Sequence, residues 1–485
     1  MSSSSRPVRV QTSLTIYGKL LGMDAELEQA DRPTLIALIV TLRAQLAASQ
    51  AQVATLAARV AALEQHDPPP WAKANRPKPA QPPAARKQRE QNFSRRVEMP
   101  TETVPHAVEA CPDCGTALAG GRVRWRRQVI DVPEAPVRVI EHVVVERRCR
   151  ACGRTSTPTL DLSDQVLGQH RVSLRLMGQI AMLREQLRLP LGRIQEYLQT
   201  LHGLHLSRGE LVAILQTVAT RAEAAAGAIR AAVRQSPVVH ADETGWREGG
   251  QNRYAWSFST PWLRYFLVGS RRGEMVDAVL GGDCQAVLVT DFYAAYDHYP
   301  GLQQRCWVHL LRDIHTLREQ HPQDAGVQTW AKRVVALYHA AKATAKTGPP
   351  ANLSAGQERI WRRQQRRAYE QALAGICQPF WGKDAGVPQR VLCQRIQRYL
   401  PALFTFLADP RVPADNNAAE RSVRPVVIRR KISGGTRSAA GTLARTTLWT
   451  LTDTWQLQHK PLLAAWIALL KNPAAAALAP ASTAQ

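Results

Sequence analysis

Two apolar runs, each closed by an aspartate, restrict this chain more than any other feature. "PVVHA" leads into Asp242, and "AVLVT", residues 286–290, leads into Asp291. Short β-rich runs bounded by polar residues read as buried strands. "RYAWSFST" and "WLRYFLVG" follow the first run as two further strands of a meander. "GEMVDAVLGG" reads as a short helix, and "QQRCWVHLLRDI" as a third apolar run passing into a helix. From about residue 235 the texture is therefore α/β. If the two aspartate-terminated strands are neighbours in one sheet, Asp242 and Asp291 converge. Like charges so placed raise each other's pKa, and a divalent cation gives them a reason to meet. Hard Mg2+ takes oxygen ligands and keeps waters and substrate phosphates in its shell. A third carboxylate, from a helix, completes a two-metal site. Taken singly, an aspartate after a strand is equally a turn former or a cap. Glu243 is expected on the opposite strand face, outside the cluster, whereas His240 shares the face of Asp242 and is a supporting candidate.

The third carboxylate is sought in "ADNNAAERSVRPVVIRRK", residues 414–431, which holds five Arg or Lys residues but only Asp415 and Glu420 as acids. Asn417 and Glu420 have the N-x-x-E spacing of a capping-box relative. Glu420 is also placed to be a metal ligand. The readings coexist if Asn416 or Asn417 starts a helix, Asp415 caps it and Glu420 points from its first turn. Pro425 is expected to limit or kink that helix, because proline removes a backbone donor. On such a helix Arg424 shares the face of Glu420 and is placed to hold a phosphate.

The cations around Glu420 belong to a chain of 485 residues with a formal charge of +24. Such an excess points to a polyanionic partner, nucleic acid first; a ribosomal or membrane-surface protein is the alternative. The length exceeds one ordinary core, so several domains are expected. No apolar run comes near the roughly 20 residues of a spanning helix, and the N-terminus lacks a signal-type apolar core. A cytosolic protein with no membrane partner is expected. Its eight cysteines then argue for metal or free thiols rather than disulfides.

Four of those cysteines form Cys111-Pro-Asp-Cys114-Gly and, after 34 residues, Cys149-Arg-Ala-Cys152-Gly. Thiolates so spaced on a tight turn reach one ion, and the glycine lets the backbone curl beneath the sulfurs. A closed four-thiolate zinc site is structural, not catalytic; a redox C-x-x-C is the rival, disfavoured by two matched copies. Between the knuckles "VRWRRQVIDV" and "VRVIEHVVVERR" alternate like the strands of a hairpin. The zinc-binding domain is assigned to residues 106–160.

Residues 31–66 carry heptads. Leu35, Leu42, Ser49, Leu56 and Leu63 fall at d, and Ile39, Leu46, Val53 and Val60 at a. Leucine at d with mainly β-branched residues at a favours a parallel two-stranded coil, hence a homodimer; a long helix packed on its own domain is the alternative. Residues 67–105 form a Pro-rich basic linker, a solvated spacer or a strip that grazes phosphates. Residues 171–230 read as a helical DNA-binding region. Within it "LGRIQEYLQTLHGLHLSRGELVAILQTVA" has a helix-turn-helix outline, with Gly203 at the turn and Ser207 with Glu210 as a capping box. Arg193 and Arg208 are its candidate phosphate contacts. A plain helical hairpin is the alternative.

"HADETGW", "TDFYAAYD", "CWVHLLRD" and "DNNAAERSVRPVVIRRK" resemble signature blocks of the insertion sequence 66 family of transposases, over most of the chain. The family is similar to other DDE recombinases, so the resemblance implies an α/β ribonuclease H-like catalytic domain, placed here at residues 235–460. Carried over by position, the catalytic triad is Asp242, Asp291 and Glu420, holding Mg2+ or Mn2+. Phe292 stands where the family commonly has Gly, and Ile432 where it often has Asn after "RRK". The 128 residues between Asp291 and Glu420 imply a helical insertion at about 320–410. Its Arg362, Arg363, Arg366 and Arg367 are a DNA-facing surface or a solvated face. The Cys306-x-x-His309 element implies a supporting role for His309. Arg421, Arg429, Arg430 and Lys431 are expected on DNA, and Trp246, Trp256 and Trp262 either stack on bases or fill cores. The implied activity is binding of double-stranded transposon ends, cleavage to a 3′-OH and strand transfer to target DNA, in a bacterial cytoplasm at the nucleoid, sometimes with small accessory proteins of the same element. A ribonuclease H-like nuclease without strand transfer and a non-enzymatic zinc and helix-turn-helix regulator are the rivals. Residues 471–485 are expected to be a disordered tail.

Overall fold

The computed structural model describes residues 31–64, 98–132, 134–382 and 386–473. Most of the linker and of the C-terminal tail lies outside them. The chain divides into two compact units, Met1–Val129 and Ile130–Gln485.

In the first unit, α1 spans Arg32–Glu64. The Asp31 carboxylate accepts the Thr34 N–H at 3.1 Å and starts it. Ile39, Leu42, Leu46 and Val53 of the heptad stripe are all exposed. One expectation needs correction: Arg32–Thr55, with mean hydropathy 1.3, is long and apolar enough to cross a membrane by length and composition. Alanines between the heptad positions raise the average without forming a visible apolar run.

The second unit begins with a two-residue ladder, β1 (Arg147–Arg148) with β2 (Thr155–Ser156), around the second cysteine pair. The longer strands expected on either side of residue 135 do not form among the described residues. Alternation sets side chains on two faces, but Trp125 and Val132 in one run, and Val139 and Val143 in the other, are all exposed. Neither face is buried, so nothing fixes a register.

Three helices follow: α2 (Leu174–Glu185), α3 (Leu191–His202) and α4 (Arg208–Gln235). Gly203 ends α3 at φ +67°, the left-handed conformation glycine adopts freely. Ser207 and Glu210 open α4 with a reciprocal capping box, as the sequence predicts. At 28 residues, α4 continues past any hairpin and packs against the later core.

A five-stranded sheet follows, in the order β5-β4-β3-β6-β7. Its strands are β3 (Val238–Glu248), β4 (Gln251–Ser259), β5 (Arg264–Gly269), β6 (Val287–Thr290) and β7 (Gln303–Arg305), with α5 (Glu274–Leu280) between β5 and β6. The first three form an antiparallel meander, and β6 runs parallel to β3 and β7. Between β7 and the last helices lie α6 (Trp307–Gln320), α7 (Ala325–Thr347), α8 (Ala355–Cys377), α9 (Arg390–Tyr399) and α10 (Thr405–Ala408). They share a core with Val238, Val287 and Val289 of the sheet. Then α11 (Asn417–Ser433) crosses β3 and β4, followed by α12 (Ala439–Leu457) and α13 (Leu462–Lys471).

Contrary to the expectation of a short element, α11 runs through Pro425 for 17 residues. Ala419, Ser422 and Val423 before the proline, and Val426 and Arg429 after it, are buried. Tertiary packing on both sides outweighs the roughly 3 kcal/mol a helix-interior proline costs.

Candidate active site

The register of β3 on β6 pairs Val238 with Val287, Val239 with Leu288 and His240 with Val289. Continued by two residues, it sets Asp242 opposite Asp291 at the carboxyl end of the parallel pair. Asp242 Oδ1 accepts the Glu243 N–H at 2.9 Å, and Asp291 Oδ1 accepts the Tyr293 N–H at 2.9 Å. Glu420 comes from the first turn of α11, its N–H bonded to the Asn416 carbonyl at 3.2 Å. Burial first, then the charges of Glu243, Asp291 and Glu420, push the Asp242 carboxyl well above the usual carboxylate range. The three acids therefore share one electrostatic site. As placed, no three His, Cys, Asp or Glu side chains among the described residues converge closely enough to hold an ion together.

His309, one turn into α6, directs Nε2 to within 3.6 Å of Glu420 Oε1. Both His309 Nδ1 and Glu420 Oε1 are buried atoms without a hydrogen-bond partner. His240 lies on the Asp242 face, but its ring bonds to Asn416 Oδ1 at 3.0 Å, and burial lowers its pKa. Glu243 faces Tyr296 and Arg271, yet its charge acts on Asp242 more strongly than those of Asp291 and Glu420. It accepts bonds from Tyr296 at 2.8 Å and Arg271 at 3.1 Å.

Two further residues border the site: Arg305, which the sequence reading overlooked, and Asn416, which it read only as a helix start. Buried Arg305 donates to Thr290 Oγ1 at 2.8 Å and to the Asp291 carbonyl at 2.7 Å. Asn416 occupies the cap position of α11, yet its side chain makes no cap bond; Asp415 takes the Asn417 N–H instead, at 3.2 Å. The available signal was the doubled asparagine before Glu420 and an arginine closing the third apolar run.

The basic residues sort by burial. Arg421, Arg424 and Lys431 are exposed. Arg429 is 2% exposed and pairs with Asp453 at 2.6 and 3.0 Å, beside buried Glu185. It is structural, not a DNA contact, because 422, 426 and 429 repeat on the buried helix face. Arg430 is half-buried and donates to the Gly245 carbonyl and to Thr244 Oγ1, so it too serves the fold. On α8, Arg362 and Arg366 pair with Glu358 and Glu370, leaving Arg363 and Arg367 exposed. Trp246 and Trp256 are core, whereas Trp262 is 55% exposed. Exposed Arg193 and Arg208 line an open cleft of about 630 Å³ with Arg184 and Arg437, where Glu196 is the one carboxylate.

The two cysteine turns repeat one pattern. In the first, Gly115 N–H bonds to the Cys111 carbonyl and Cys111 N–H to the Thr116 carbonyl, both at 2.9 Å. In the second, Gly153 N–H bonds to the Cys149 carbonyl at 2.9 Å and Cys149 N–H to the Arg154 carbonyl at 2.7 Å. Gly115 and Gly153 take φ +71° and +73°. Bonds from Thr116 lower the Cys114 thiol pKa, and backbone N–H groups of Cys152 and Ala151 lower that of Cys149. Lowered thiols favour the thiolate a metal needs.

Residues 169–444 match the Transposase IS66 family, and residues 109–153 match the zinc-finger binding domain of transposase IS66. The first match covers more than half the chain, and the chain belongs to that family. The second supports a structural zinc in that segment. Two uncharacterized proteins of Sinorhizobium fredii (strain NBRC 101917 / NGR234) are also similar. One, y4jO, is 29% identical over 149 residues, 31% of this chain and 42% of that protein. The other, y4qI, is 24% identical over 315 residues, 58% of this chain and 56% of that protein. The chain spans about half the length of these curated relatives.

Proposed function

We propose that the protein is a transposase that binds the double-stranded ends of its own element, cuts them in a metal-dependent reaction and joins the new 3′-OH to target DNA. The observation that carries this reading is that Asp242 and Asp291 each lie two residues past the last paired residues of parallel β3 and β6, with Glu420 on the helix packed on β3 and β4. The meander followed by two parallel strands supports the ribonuclease H-like reading of this domain.

The donor set fits Mg2+ or Mn2+: three carboxylates are hard oxygen ligands, and Glu420 Oε1 lacks a partner within the protein. Glu420 is 39% exposed, so its side chain has room to turn toward Asp242. When bound, the cation supplies activation of water and stabilisation of the entering and leaving oxygens. The protein's own part is positioning. Asp242 is held within β3, Asp291 by the turn that follows β6, Glu420 by the first turn of α11, and His309 orients Glu420 or meets the scissile phosphate. Arg421 and Arg424 neutralise the phosphate backbone near Glu420, and Lys431 extends that contact. Arg193 and Arg208 supply a second strip, for the element's end. A pair of α1 helices joins two chains through their exposed heptad stripes, and small accessory proteins of the element act with the dimer.

The test is nicking of DNA carrying the element's own ends, with and without Mg2+. Wild type should cut and transfer strands, while Asp242→Ala, Asp291→Ala and Glu420→Ala should not. Variants that cut like wild type overturn the acid assignment. Cleavage without joined products favours a nuclease, and end binding without cleavage, even with accessory proteins added, favours a regulator.

A further inference from the structure

Asn416 is 1% exposed and touches every segment that carries an acid. Its Nδ2 donates to the Ala241 carbonyl at 2.8 Å, one residue before Asp242. Its backbone N–H donates to Cys306 Sγ at 3.2 Å. Cys306 in turn donates its N–H to the Thr290 carbonyl at 2.8 Å, one residue before Asp291. The Asn416 carbonyl accepts the Glu420 N–H. A second clamp, Trp307 N–H to the Ala414 carbonyl at 3.0 Å, ties the same strand end to the entry of α11. We infer that Asn416 is a positioning residue for the acidic site, setting the spacing of Asp242, Asp291 and Glu420 through bonds to their backbone neighbours. This rests on the reading above that those acids hold a divalent cation.

The chemistry selects asparagine. The Ala241 carbonyl can only accept, so the amide nitrogen must face it, and Oδ1 is left for His240. His240 Nδ1 must then carry the proton of their 3.0 Å bond. Aspartate lacks the donor, serine is too short to span both partners, and an alkyl group satisfies neither. The local helix loses by this arrangement. Asn at a helix start ordinarily turns its oxygen onto the first-turn amides, yet here the side chain leaves the helix end and reaches across to β3. Buried polar groups fully engaged in this way specify one geometry, and residues that orient ligating carboxylates govern metal affinity without touching the metal.

A merely structural tether is available for contrast. The Tyr299 hydroxyl donates to the Ala286 carbonyl before β6 at 2.7 Å, also buried, but neither residue neighbours one of the three acids. The experiment is a Mn2+ titration of the zinc-loaded full chain without DNA, followed by the electron paramagnetic resonance signal of free Mn2+. Asn416→Ala is expected to weaken Mn2+ binding by about 10- to 100-fold, while Tyr299→Phe stays within about twofold of wild type. Asn416→Asp, which keeps the acceptor but not the donor, is expected to fail with the alanine variant. If Asn416→Ala does not fold, Asn416→Ser is titrated against the same criterion. Affinity within about twofold of wild type in a folded position-416 variant overturns the inference alone. A wild-type chain that binds no Mn2+ beyond a triple variant of the acids overturns the metal site and the inference with it.

Discussion

Nε2 of His309 stands 3.6 Å from Oε1 of Glu420, and neither that oxygen nor the other ring nitrogen has a hydrogen-bond partner among the described residues. The pair is too long for a hydrogen bond and is completed only when something joins it. His309→Gln should therefore lower the rate of end cleavage by about 10- to 100-fold, with end binding in metal-free buffer unchanged. A cleavage rate within about twofold of wild type would remove His309 from the site.

The acidic site opposes stability. Burial and the neighbouring carboxylates raise the Asp242 pKa in the folded chain above its unfolded value. The stability this proton provides is fully present below the unfolded pKa and is lost as pH rises through the folded one. At neutral pH without metal, Asp242→Asn should thus be more stable than wild type. Its melting temperature should be higher by a few degrees at about pH 7, and the difference should vanish toward about pH 4. Added Mn2+ should raise the melting temperature of wild type but not of the variant. A variant less stable than wild type at neutral pH would contradict the repulsion.

Burial divides the arginines into two experimental classes. Arg208 lies against Gly192, where an added Cβ would meet its guanidinium at 3.0 Å, in the cleft shared with Arg193 and Arg437. Arg208→Gln and Arg437→Gln should each weaken end binding and reduce the slope of log K against log salt by about 0.9, with stability unchanged. Arg429→Gln should do the reverse. It leaves Asp453 buried without its cation, while Glu185 keeps Arg445 at 3.0 Å, at a cost of about 3–5 kcal/mol. A folded Arg429→Gln protein with wild-type stability and a reduced salt slope would return Arg429 to the DNA surface.

The same arginines mark the limit of what was legible in the sequence. Apolar runs ending in Asp242 and Asp291 announced strands and the proposed ligand positions, because period and termination are local. Gly203, Ser207 and Glu210 announced the helical hairpin, because caps are local chemistry. The fate of Arg429 depended on Asp453, 24 residues away, and on Glu185, 244 residues away; no local pattern reveals such partners. Asn416 read as a cap because that is what the residue does in isolation, and only the position of Ala241 across the sheet gives it another use. The alternating residues between the cysteine pairs misled for the converse reason. Alternation was present, but among the described residues only its end, Arg147–Arg148, finds a partner strand, at Thr155–Ser156.

The exposed heptad stripe of α1 makes a separable prediction. Ile39, Leu42, Leu46 and Val53 lie in solvent along one helix, and knobs of this type bury only against a partner helix. Leu42→Lys with Leu46→Lys should convert a dimer to a monomer by analytical ultracentrifugation. The melting temperature of the residues from 130 onward should not change. A wild-type monomer at tens of micromolar would refute the coil, and a detergent-dependent oligomer would instead favour the membrane reading that the hydropathy of Arg32–Thr55 permits.

The cysteine turns can be tested without DNA. Each presents two thiols on a loop closed by the same pair of backbone bonds, with a glycine in the left-handed region immediately after the second cysteine. Four thiolates on zinc form a closed tetrahedral set, so purified protein should carry a single zinc per chain, released by a thiol-reactive mercurial and read with a chromogenic chelator. Cys114→Ser or Cys149→Ser should abolish retention of that zinc, because either leaves an incomplete set. Gly153→Ala should weaken it only modestly. The added methyl meets nothing nearer than Arg148, at 3.6 Å, so its penalty is the roughly 1–2 kcal/mol of left-handed strain. Zinc removal should leave Mn2+ binding at the acids intact, since a structural site supplies no ligand to them. Wild-type protein that retains no zinc, or cysteine variants that retain it fully, would place these thiols in a different chemistry.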